Sequence, residues 1–377
     1  MRIGYDAKRA FYNFTGLGNF ARTLLTDLLR FEPDNQYLLF TPRVHRNETI
    51  NEFLEDIDEA EIISPPHPMH RLWRSWGVSM TASKNGVQLY HGLSHELPRG
   101  LKRKNIRSVV TMHDIIYKIY PQYYTSIDRA TYQSKSNHAC KTADRIIAIS
   151  ESTKQDIIEE FKIPPDRIEV IYQSCGAHFR NFFDDLDENF DFRKKYDLPD
   201  RYILYVGSVI ERKKLLETVQ AVEQTYGETG LPLVVIGSGK NYMRRVYQYV
   251  LDQELEDRIL FRENISYRDL PYLYYGAEVF IYPSEYEGFG IPVIESQYCA
   301  TPVITSSLSS LPEVGGPNAF YLDEISSDNI ASKIKKVLDS DWTREDRRAQ
   351  YSEHLAKFDP ENICRQHLKL YEACLGQ

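Results

Sequence analysis

The sequence is poor in the features that an oxidising compartment, a membrane span or a metal centre would require. Its five cysteines are odd in number and scattered, without the paired spacing of zinc or redox sites, which favours a reducing, cytoplasmic setting. No stretch approaches the ~20 apolar residues of a spanning helix, and the N-terminus turns polar too early for a signal peptide. Because no His, Cys or carboxylate cluster has metal-ligand spacing, no metal site is expected.

The chain also lacks an excess of positive charge. Its 46 Lys and Arg residues face 54 Asp and Glu residues, and no basic face suited to duplex binding is evident, so nucleic acid is not an expected partner. Only residues 1–180 hold a slight basic excess. A length of 377 residues predicts two domains, each able to bury its own core.

Short β-branched or aromatic runs alternate with longer amphipathic stretches, a pattern typical of a doubly wound α/β protein with parallel sheets. The runs predict strands near 2–6, 36–41, 88–91, 107–112, 145–149, 168–172, 202–207, 232–236, 258–261, 278–282 and 301–305. Helical spacing is found over 17–31, 126–142, 213–227, 241–252, 267–276, 290–299 and 328–339. Residues 1–180 and 181–358 are therefore expected to form two domains, with residues 175–199 as their connection.

Residues 282–295 place two carboxylates eight positions apart around a glycine-rich turn that opens a predicted helix. Gly288 and Gly290 expose backbone N–H groups at the helix start, where the helix dipole favours phosphate. Glu287 precedes the helix and Glu295 lies about one turn inside it. The sugar of a bound nucleotide sugar could therefore contact Glu287, and its ribose could contact Glu295. The alternative is a helix cap followed by an exposed helical glutamate.

Two further glycine turns follow predicted strands in the same half. After Gly207, the cations Arg212 and Lys213 can project toward a diphosphate, although such pairs are also common on solvated surfaces. Gly237 and Gly239 form a tight turn whose missing side chains allow a ligand to approach, unless they serve only the turn.

The N-terminal half contributes a histidine at a strand end. His113, followed by Asp114, ends the apolar run 108–112, where an imidazole can donate to sugar hydroxyls. The alternative is a histidine that only caps the sheet edge.

Gly16, Leu17 and Gly18, with Ala21, match the Gly-x-Gly-x-x-Ala dinucleotide pattern and raise the competing hypothesis of a nicotinamide or flavin oxidoreductase. About nine residues separate these glycines from the strand at 2–6, whereas the pattern requires a tight strand-to-glycine turn. We therefore expect a mobile loop that leads into helix 17–31 near an acceptor.

Residues 69–76 interleave cations with large aromatics, as in segments that rest at a membrane interface. The other interpretation is a packed helix with snorkelling arginines. The basic run 102–104 supports a peripheral contact of the N-terminal domain with the inner membrane surface.

The chain resembles the retaining glycosyltransferases of family 4, which have the two-domain GT-B fold. The most specific match is the Glu-x7-Glu motif of that family, here Glu287 and Glu295 with Gly288, Phe289 and Gly290 between them. Supporting matches are found at 16–18, 113–114, 150–152, 207–213 and 311–313. Residues 111–117 and 207–213 are similar to bacterial mannosyltransferase-like members that build surface polysaccharides.

The resemblance implies two Rossmann-like domains facing a central cleft, with a C-terminal helix, residues 359–377, crossing back to the N-terminal domain. It implies a nucleotide-sugar donor, GDP-mannose first and a UDP-sugar second, and a glycan or lipid-linked glycan acceptor. No cofactor or divalent metal is expected. The residues implied to bind the donor are Gly207, Ser208, Arg212, Lys213, Gly237, Ile265, Glu287, Gly288, Phe289, Gly290 and Glu295, with His113 reaching the sugar. The acceptor side is expected at Gly16, Leu17, Gly18 and Asp114.

Ser208 departs from the family, which often has arginine there, and Arg212 is a candidate replacement.

Front-face attack, in which the departing phosphate deprotonates the acceptor, is the expected mechanism, and double displacement through Glu287 is the alternative. The rival functions are a nucleotide-sugar epimerase or hydrolase of the same fold, an NAD-dependent dehydrogenase, and a sugar-binding protein without activity.

Overall fold

A computed structural model describes residues 1–65 and 73–376. The chain divides into two compact units. The first comprises Met1–Ser174 together with the chain from Phe358 onward, and the second comprises Cys175–Lys357.

The first unit is built on a parallel sheet of seven described strands, in the order β3-β2-β1-β4-β5-β6-β7. Because parallel strands are covered by helices on both faces, they are almost wholly apolar. The strands are β1 Arg2–Asp6, β2 Gln36–Phe40, β3 Glu61–Ile63, β4 Leu89–Gly92, β5 Arg107–Met112, β6 Arg145–Ala148 and β7 Ile168–Val170. The described helices are α1 Lys8–Tyr12, α2 Gly16–Phe31, α3 Glu48–Asp56, α4 Val78–Lys84, α5 Ile116–Ile119, α6 Ser126–Thr142 and α7 Glu151–Phe161.

The second unit has a parallel sheet of six strands in the order β10-β9-β8-β11-β12-β13. The strands are β8 Ile203–Val206, β9 Leu233–Ile236, β10 Ile259–Arg262, β11 Val279–Tyr282, β12 Val303–Ser306 and β13 Phe320–Leu322. The helices are α8 Ala177–Arg180, α9 Phe192–Tyr196, α10 Leu215–Thr229, α11 Asn241–Asp252, α12 Leu270–Gly276, α13 Ile291–Tyr298, α14 Leu311–Gly315, α15 Ser327–Leu338 and α16 Arg344–Leu355.

The last helix, α17 Pro360–Leu375, belongs to the first unit and packs on α2 and β5. Its buried face includes Ile363, His367, Leu370 and Tyr371. Tyr371 is fixed to the sheet by a 2.7 Å hydrogen bond between its hydroxyl and Nδ1 of His91. The predicted pair of Rossmann-like parallel sheets and the returning C-terminal helix are confirmed.

Three expectations differ from the structure. The edge strands β3 and β13, of three residues each, are not among the predicted strands. The division between the units falls at Ser174–Cys175, six residues before the expected boundary. The expected connection 175–199 lies within the second unit, because its aromatic side chains Phe179, Phe182 and Phe192 are buried there.

The glycines 16–18 also differ from the expected mobile loop, since they form the first turn of α2. Asn13 holds this turn: its Oδ1 accepts hydrogen bonds from the backbone N–H groups of Thr15, at 2.9 Å, and Gly18, at 3.1 Å. A Cβ on Gly18 would collide with the Asn13 carbonyl, so this position has room only for glycine.

Candidate functional site

Glu287 lies in the loop between β11 and α13, at the carboxyl edge of the second sheet. Its Oε1 accepts hydrogen bonds from the hydroxyls of Ser284, at 2.7 Å, and Tyr282, at 2.9 Å. Nη1 of Arg212 lies 2.8 Å from the same oxygen. Because β8 and β11 are neighbours in the sheet, the loops that follow them bring Arg212 to Glu287.

Glu287 is ionised at neutral pH. Burial by itself would raise the pKa of its carboxyl, but the charges of Arg212 and Lys213 and the hydrogen bonds from Ser284 and Tyr282 lower it to about 2. The carboxylate is therefore a fixed negative charge with well-defined hydrogen-bond acceptors.

Lys213 is held next to Glu287 through Tyr282. Its Nζ donates a 2.8 Å hydrogen bond to the Tyr282 hydroxyl and lies 3.7 Å from Oε1 of Glu287. Burial lowers the pKa of the lysine, and Glu287 opposes that shift. Gly207 has a φ of 144°, and a Cβ there would stand 3.0 Å from the ammonium, so the glycine keeps space for this cation.

Arg212, Lys213 and Glu287 together carry one net positive charge. The side chains are only 8%, 12% and 12% exposed, so water screens them poorly. The sequence left the direction of Arg212 open, and the structure aims its guanidinium at Glu287. An anion such as a diphosphate would experience net attraction at this cluster.

The loop that leads into α13 is held by two serines. Oγ of Ser310 lies 2.9 Å from the carbonyl oxygen of Glu287 and 2.7 Å from that of Phe289, and its one O–H is shared between them, while Oγ of Ser309 accepts from the Glu287 N–H at 2.8 Å. Gly290 caps the helix with a φ of 111°. The first N–H groups of a helix have no partners within the helix, so this end is suited to phosphate.

Glu295 is 4% exposed, on the second turn of α13. The hydroxyl of Tyr267 donates to its Oε1 at 3.0 Å, and the hydroxyl of Tyr274 donates to its Oε2 at 3.2 Å. Burial raises the pKa of this carboxyl to about 7, despite both hydrogen bonds. The two glutamates of the motif thus differ sharply in their tendency to ionise.

The remaining predicted donor residues lie in the loops that follow β8, β9, β10 and β11. Gly237 follows β9 with a φ of 156°, and its Cβ position is filled by the carbonyl of Gly207 on the neighbouring strand. Ser208 is exposed beside them. Gly288 is buried in the loop before α13, whereas Ile265 lies partly exposed in the loop after β10.

His113 follows β5 in the first unit and is 5% exposed. Its Nε2 donates to the Leu93 carbonyl at 2.8 Å, so its Nδ1 accepts from the Gln173 amide at 3.0 Å. Burial, followed by the nearby His95, lowers its pKa to about 3 and leaves the ring neutral. Both ring nitrogens are already engaged, so a sugar hydroxyl could be bound by the ring only in exchange for one of these contacts.

Of the residues predicted for the acceptor side, Gly16 is exposed and Leu17 is partly exposed at the start of α2. Asp114 accepts a 3.1 Å hydrogen bond from the N–H of Ile116 and so holds the start of α5. Because α1 separates β1 from Gly16, the tight strand-to-glycine turn of a dinucleotide site is not formed here.

Sequence reasoning missed the tyrosines that connect the site. Tyr282 links Lys213 to Glu287, and Tyr267 and Tyr274 cover Glu295. In the sequence these residues resemble ordinary strand and helix aromatics, and their hydroxyl partners are 5 to 69 positions away. Only the position of Tyr282, at a strand end beside the motif, could have indicated its role.

The aromatic and basic segment 69–76 lies partly outside the described residues. Of the described part, Trp76 is 60% exposed, whereas Nε1 of Trp73 donates to the hydroxyl of Thr81 at 3.1 Å. No helix among residues 1–65 and 73–376 is long and apolar enough to cross a membrane. Within the same ranges, no three His, Cys, Asp or Glu side chains are grouped to hold a metal ion.

Comparison with known proteins follows the division into two units. Residues 14–174 match the family model described as Glycosyltransferase Family 4, and residues 187–355 match the one described as Glycosyl transferases group 1. The chain is 33% identical over 288 residues to O-antigen chain mannosyltransferase B of Escherichia coli, covering 75% of this chain and 74% of that protein. This chain belongs to the family 4 glycosyltransferases.

Two further similarities extend this family assignment. The glycosyltransferase is 26% identical over 254 residues to the O-antigen chain mannosyltransferase RfbU of Salmonella typhimurium, covering 67% of this chain and 66% of that protein. Its fold matches sucrose-phosphate synthase from Thermosynechococcus elongatus, with a TM-score of 0.77 at 20% identity over 100% of this chain and 99% of that one. The predicted GT-B fold is confirmed.

Proposed function

We propose that this glycosyltransferase moves a hexosyl group, mannose first, from a nucleoside-diphosphate sugar to a glycan or lipid-linked glycan during surface polysaccharide synthesis. The observation that carries the proposal is the buried cluster of Arg212, Lys213 and Glu287 beside the start of α13. Its net positive charge suits a diphosphate, and its ionised carboxylate suits sugar hydroxyls. The similarity to O-antigen mannosyltransferases supports mannose, with GDP-mannose as the first donor and a UDP-sugar as the second.

In the proposed reaction, the bond between the anomeric carbon and the phosphate oxygen breaks while the acceptor oxygen attacks from the same face. The departing diphosphate takes the acceptor's proton, and the anomeric configuration is retained. Lys213 and Arg212 stabilise the negative charge that develops on the diphosphate, so no divalent metal is required in this proposal. Glu287 orients the sugar, Glu295 receives the ribose, and His113 supports transfer from the first unit.

A direct test measures which nucleotide the protein binds and through which residues. Thermal shift with GDP, UDP, ADP and NAD identifies the nucleotide, because a ligand of the folded state raises the melting temperature. Lys213→Ala and Glu295→Ala should abolish the shift that GDP produces. The matched control Lys335→Ala removes a surface lysine of the same unit, which pairs with Glu228, and should keep the shift. Unchanged nucleotide affinity in both site variants would refute the site, and stabilisation by NAD alone would refute the function.

Product analysis separates transfer from the rival reactions of the same fold. Incubation of GDP-mannose with a mannoside acceptor should yield a disaccharide, and NMR of its anomeric proton should show retention. Release of free mannose regardless of acceptor would identify a hydrolase, and a changed sugar in the nucleotide pool would identify an epimerase.

Contact of the first unit with a membrane surface is a further part of the proposal. It is supported by the exposed Trp76 and by the exposed basic turn Lys102–Lys104. Sedimentation with anionic vesicles should pull down the protein, and replacing the three basic residues with glutamine should release it. Equal binding to neutral vesicles would contradict the electrostatic contribution.

A further inference from the structure

A polar cavity lies at the carboxyl edge of the first sheet. It has a volume of about 150 Å³ and is lined by residues from the end of β1, the turn 73–77, the loop after β4 and helix α6. Ligands of open parallel sheets bind at this edge. The lining residues are Asp6, Arg74, Ser75, Glu96, Leu97, Pro98, Arg99, Ser134, Lys135 and His138.

Four charged side chains form a continuous chain of ion pairs along the cavity. Nη2 of Arg74 lies 2.7 Å from Oδ2 of Asp6, and its Nη1 lies 2.9 Å from Oε2 of Glu96. Oε1 of Glu96 accepts from Nζ of Lys135 at 2.9 Å. These four charges cancel, and each carboxylate oxygen retains a further lone pair for a ligand.

Two buried nitrogen atoms at the cavity also lack a hydrogen-bond partner among the described residues. These atoms are Nε of Arg74 and Nε2 of His138. Trp76 is held close by, with the guanidinium of Arg99 5.2 Å from its ring centre, and remains 60% exposed. Alternating donors and acceptors beside an exposed aromatic ring suit a polyhydroxylated ring, whose hydroxyls both donate and accept.

Other ligand classes fit less well. The cavity is smaller than the about 300–1,000 Å³ typical of sites for larger ligands, so a whole nucleotide sugar would not fit. The charges of Asp6, Arg74, Glu96 and Lys135 cancel, which disfavours a metal ion. The further cation of the lining, Arg99, lies over the Trp76 ring, so a phosphate would meet this one uncompensated charge beside two carboxylates. Of the ligand classes compared, a single neutral sugar residue fits the cavity best.

We propose that the cavity formed by Asp6, Arg74, Glu96 and Lys135 binds one hexopyranose residue of the acceptor glycan. The proposal rests on the proposed function and adds the place where the acceptor is recognised. The loop that carries Glu96 is joined to His113, since Leu93 accepts from its Nε2 and Nε2 of His95 accepts from its N–H at 3.4 Å. The loop after β4 therefore contacts His113 through residues 93 and 95 and lines the cavity through residues 96–99.

The test uses saturation-transfer NMR of the full chain with methyl α-mannoside, and with inorganic phosphate as a competitor. Glu96→Gln should weaken the Kd for the mannoside by a factor of roughly 10 to 100, as expected for a lost hydrogen bond to a charged group. Glu61→Gln is the matched control: it makes the same change in an ion pair, with Arg2, at the opposite edge of the same sheet, and should leave binding unchanged. Trp76→Ala, which leaves the ion pairs in place, should weaken binding as well.

Several results would overturn the inference: no mannoside binding by the wild type, displacement of the mannoside by phosphate, or equal weakening by Glu61→Gln. Thermal shift with GDP is measured on the same samples. If GDP raises the melting temperature but Glu96→Gln does not change mannoside binding, only the cavity proposal is refuted. If Glu96→Gln weakens mannoside binding but no nucleotide raises the melting temperature, only the proposed function is refuted.

Discussion

Arg212 and Glu287 form an ion pair of 2.8 Å in which both side chains are almost fully removed from solvent. Their residues are 75 positions apart, yet the adjacency of β8 and β11 makes them neighbours. Since buried charges are stable only when paired, this contact joins the stability of the second unit to the electrostatics of its site.

Arg212→Met removes the stronger of the two contacts that Glu287 makes with cations. At pH 7 we expect unfolding to become easier by about 3–5 kcal/mol, the usual cost of leaving one partner of a buried pair. Glu287 has a folded pKa of about 2 against an ordinary value of 4.5, so its contribution is present above pH 4.5 and lost as the pH falls toward 2. Denaturant unfolding at pH 7 and pH 3 should therefore show a smaller difference at pH 3.

The control for that variant is Arg201→Met, which breaks the exposed pair between Arg201 and Glu278. It should cost less than about 1 kcal/mol. If Arg212→Met lowers the free energy of unfolding by the same amount at pH 7 and at pH 3, the role assigned to Glu287 is contradicted.

Glu295→Gln tests a residue whose effect on the free energy of unfolding should change with pH in the opposite direction to that of Glu287. The folded pKa of Glu295 is raised to about 7, so the carboxyl stabilises the fold below pH 4.5, and this contribution is lost as the pH rises through 7. The free energy of unfolding of Glu295→Gln, relative to wild type, should rise by up to about 3 kcal/mol between pH 4.5 and pH 8. An unchanged difference across that range would place Glu295 in a more solvated environment.

Tyr282→Phe removes the hydroxyl that joins Lys213 to Glu287. Transfer activity should fall by roughly 10 to 100-fold, because each charged group loses a hydrogen bond that fixes its position. Tyr202→Phe is the matched control, since the Tyr202 hydroxyl donates at 2.7 Å to a backbone carbonyl of Leu273 in the same unit. Both variants should lose stability by about 1–3 kcal/mol, but only Tyr282→Phe should lose kcat.

Gly237→Ala tests the close approach of two strand ends. A Cβ would collide with the Gly207 carbonyl at a positive φ, so we expect a loss of stability of about 1–3 kcal/mol and weaker nucleotide binding. Gly227→Ala lies in α10 with open space around it and should stabilise the protein by about 0.5–1 kcal/mol. Thermal melts with and without GDP measure both effects.

Much of the fold could be predicted because apolar runs bounded by glycine and proline mark buried strands. All eleven predicted strands are present, and the helix that begins near Glu287 starts at Ile291. The edge strands β3 and β13 were not predicted, since a strand of three residues carries little periodicity; β7 is equally short, but it lies within the longer predicted run 168–172. The start of α2 was mistaken for a loop, because its hydrogen bonds come from Asn13, outside the glycine pattern.

The sequence by itself determined the family, the pair of parallel sheets and the candidate donor residues around Glu287, because strand ends, glycine turns and the Glu-x7-Glu spacing are local features. The tertiary structure decided that Tyr282 bridges Lys213 to Glu287, that Tyr267 and Tyr274 enclose Glu295, and that Asp6 and Glu96 share a cavity. These relationships depend on which strands lie side by side and on how far each carboxylate is buried, and both are set by packing between segments distant in the chain.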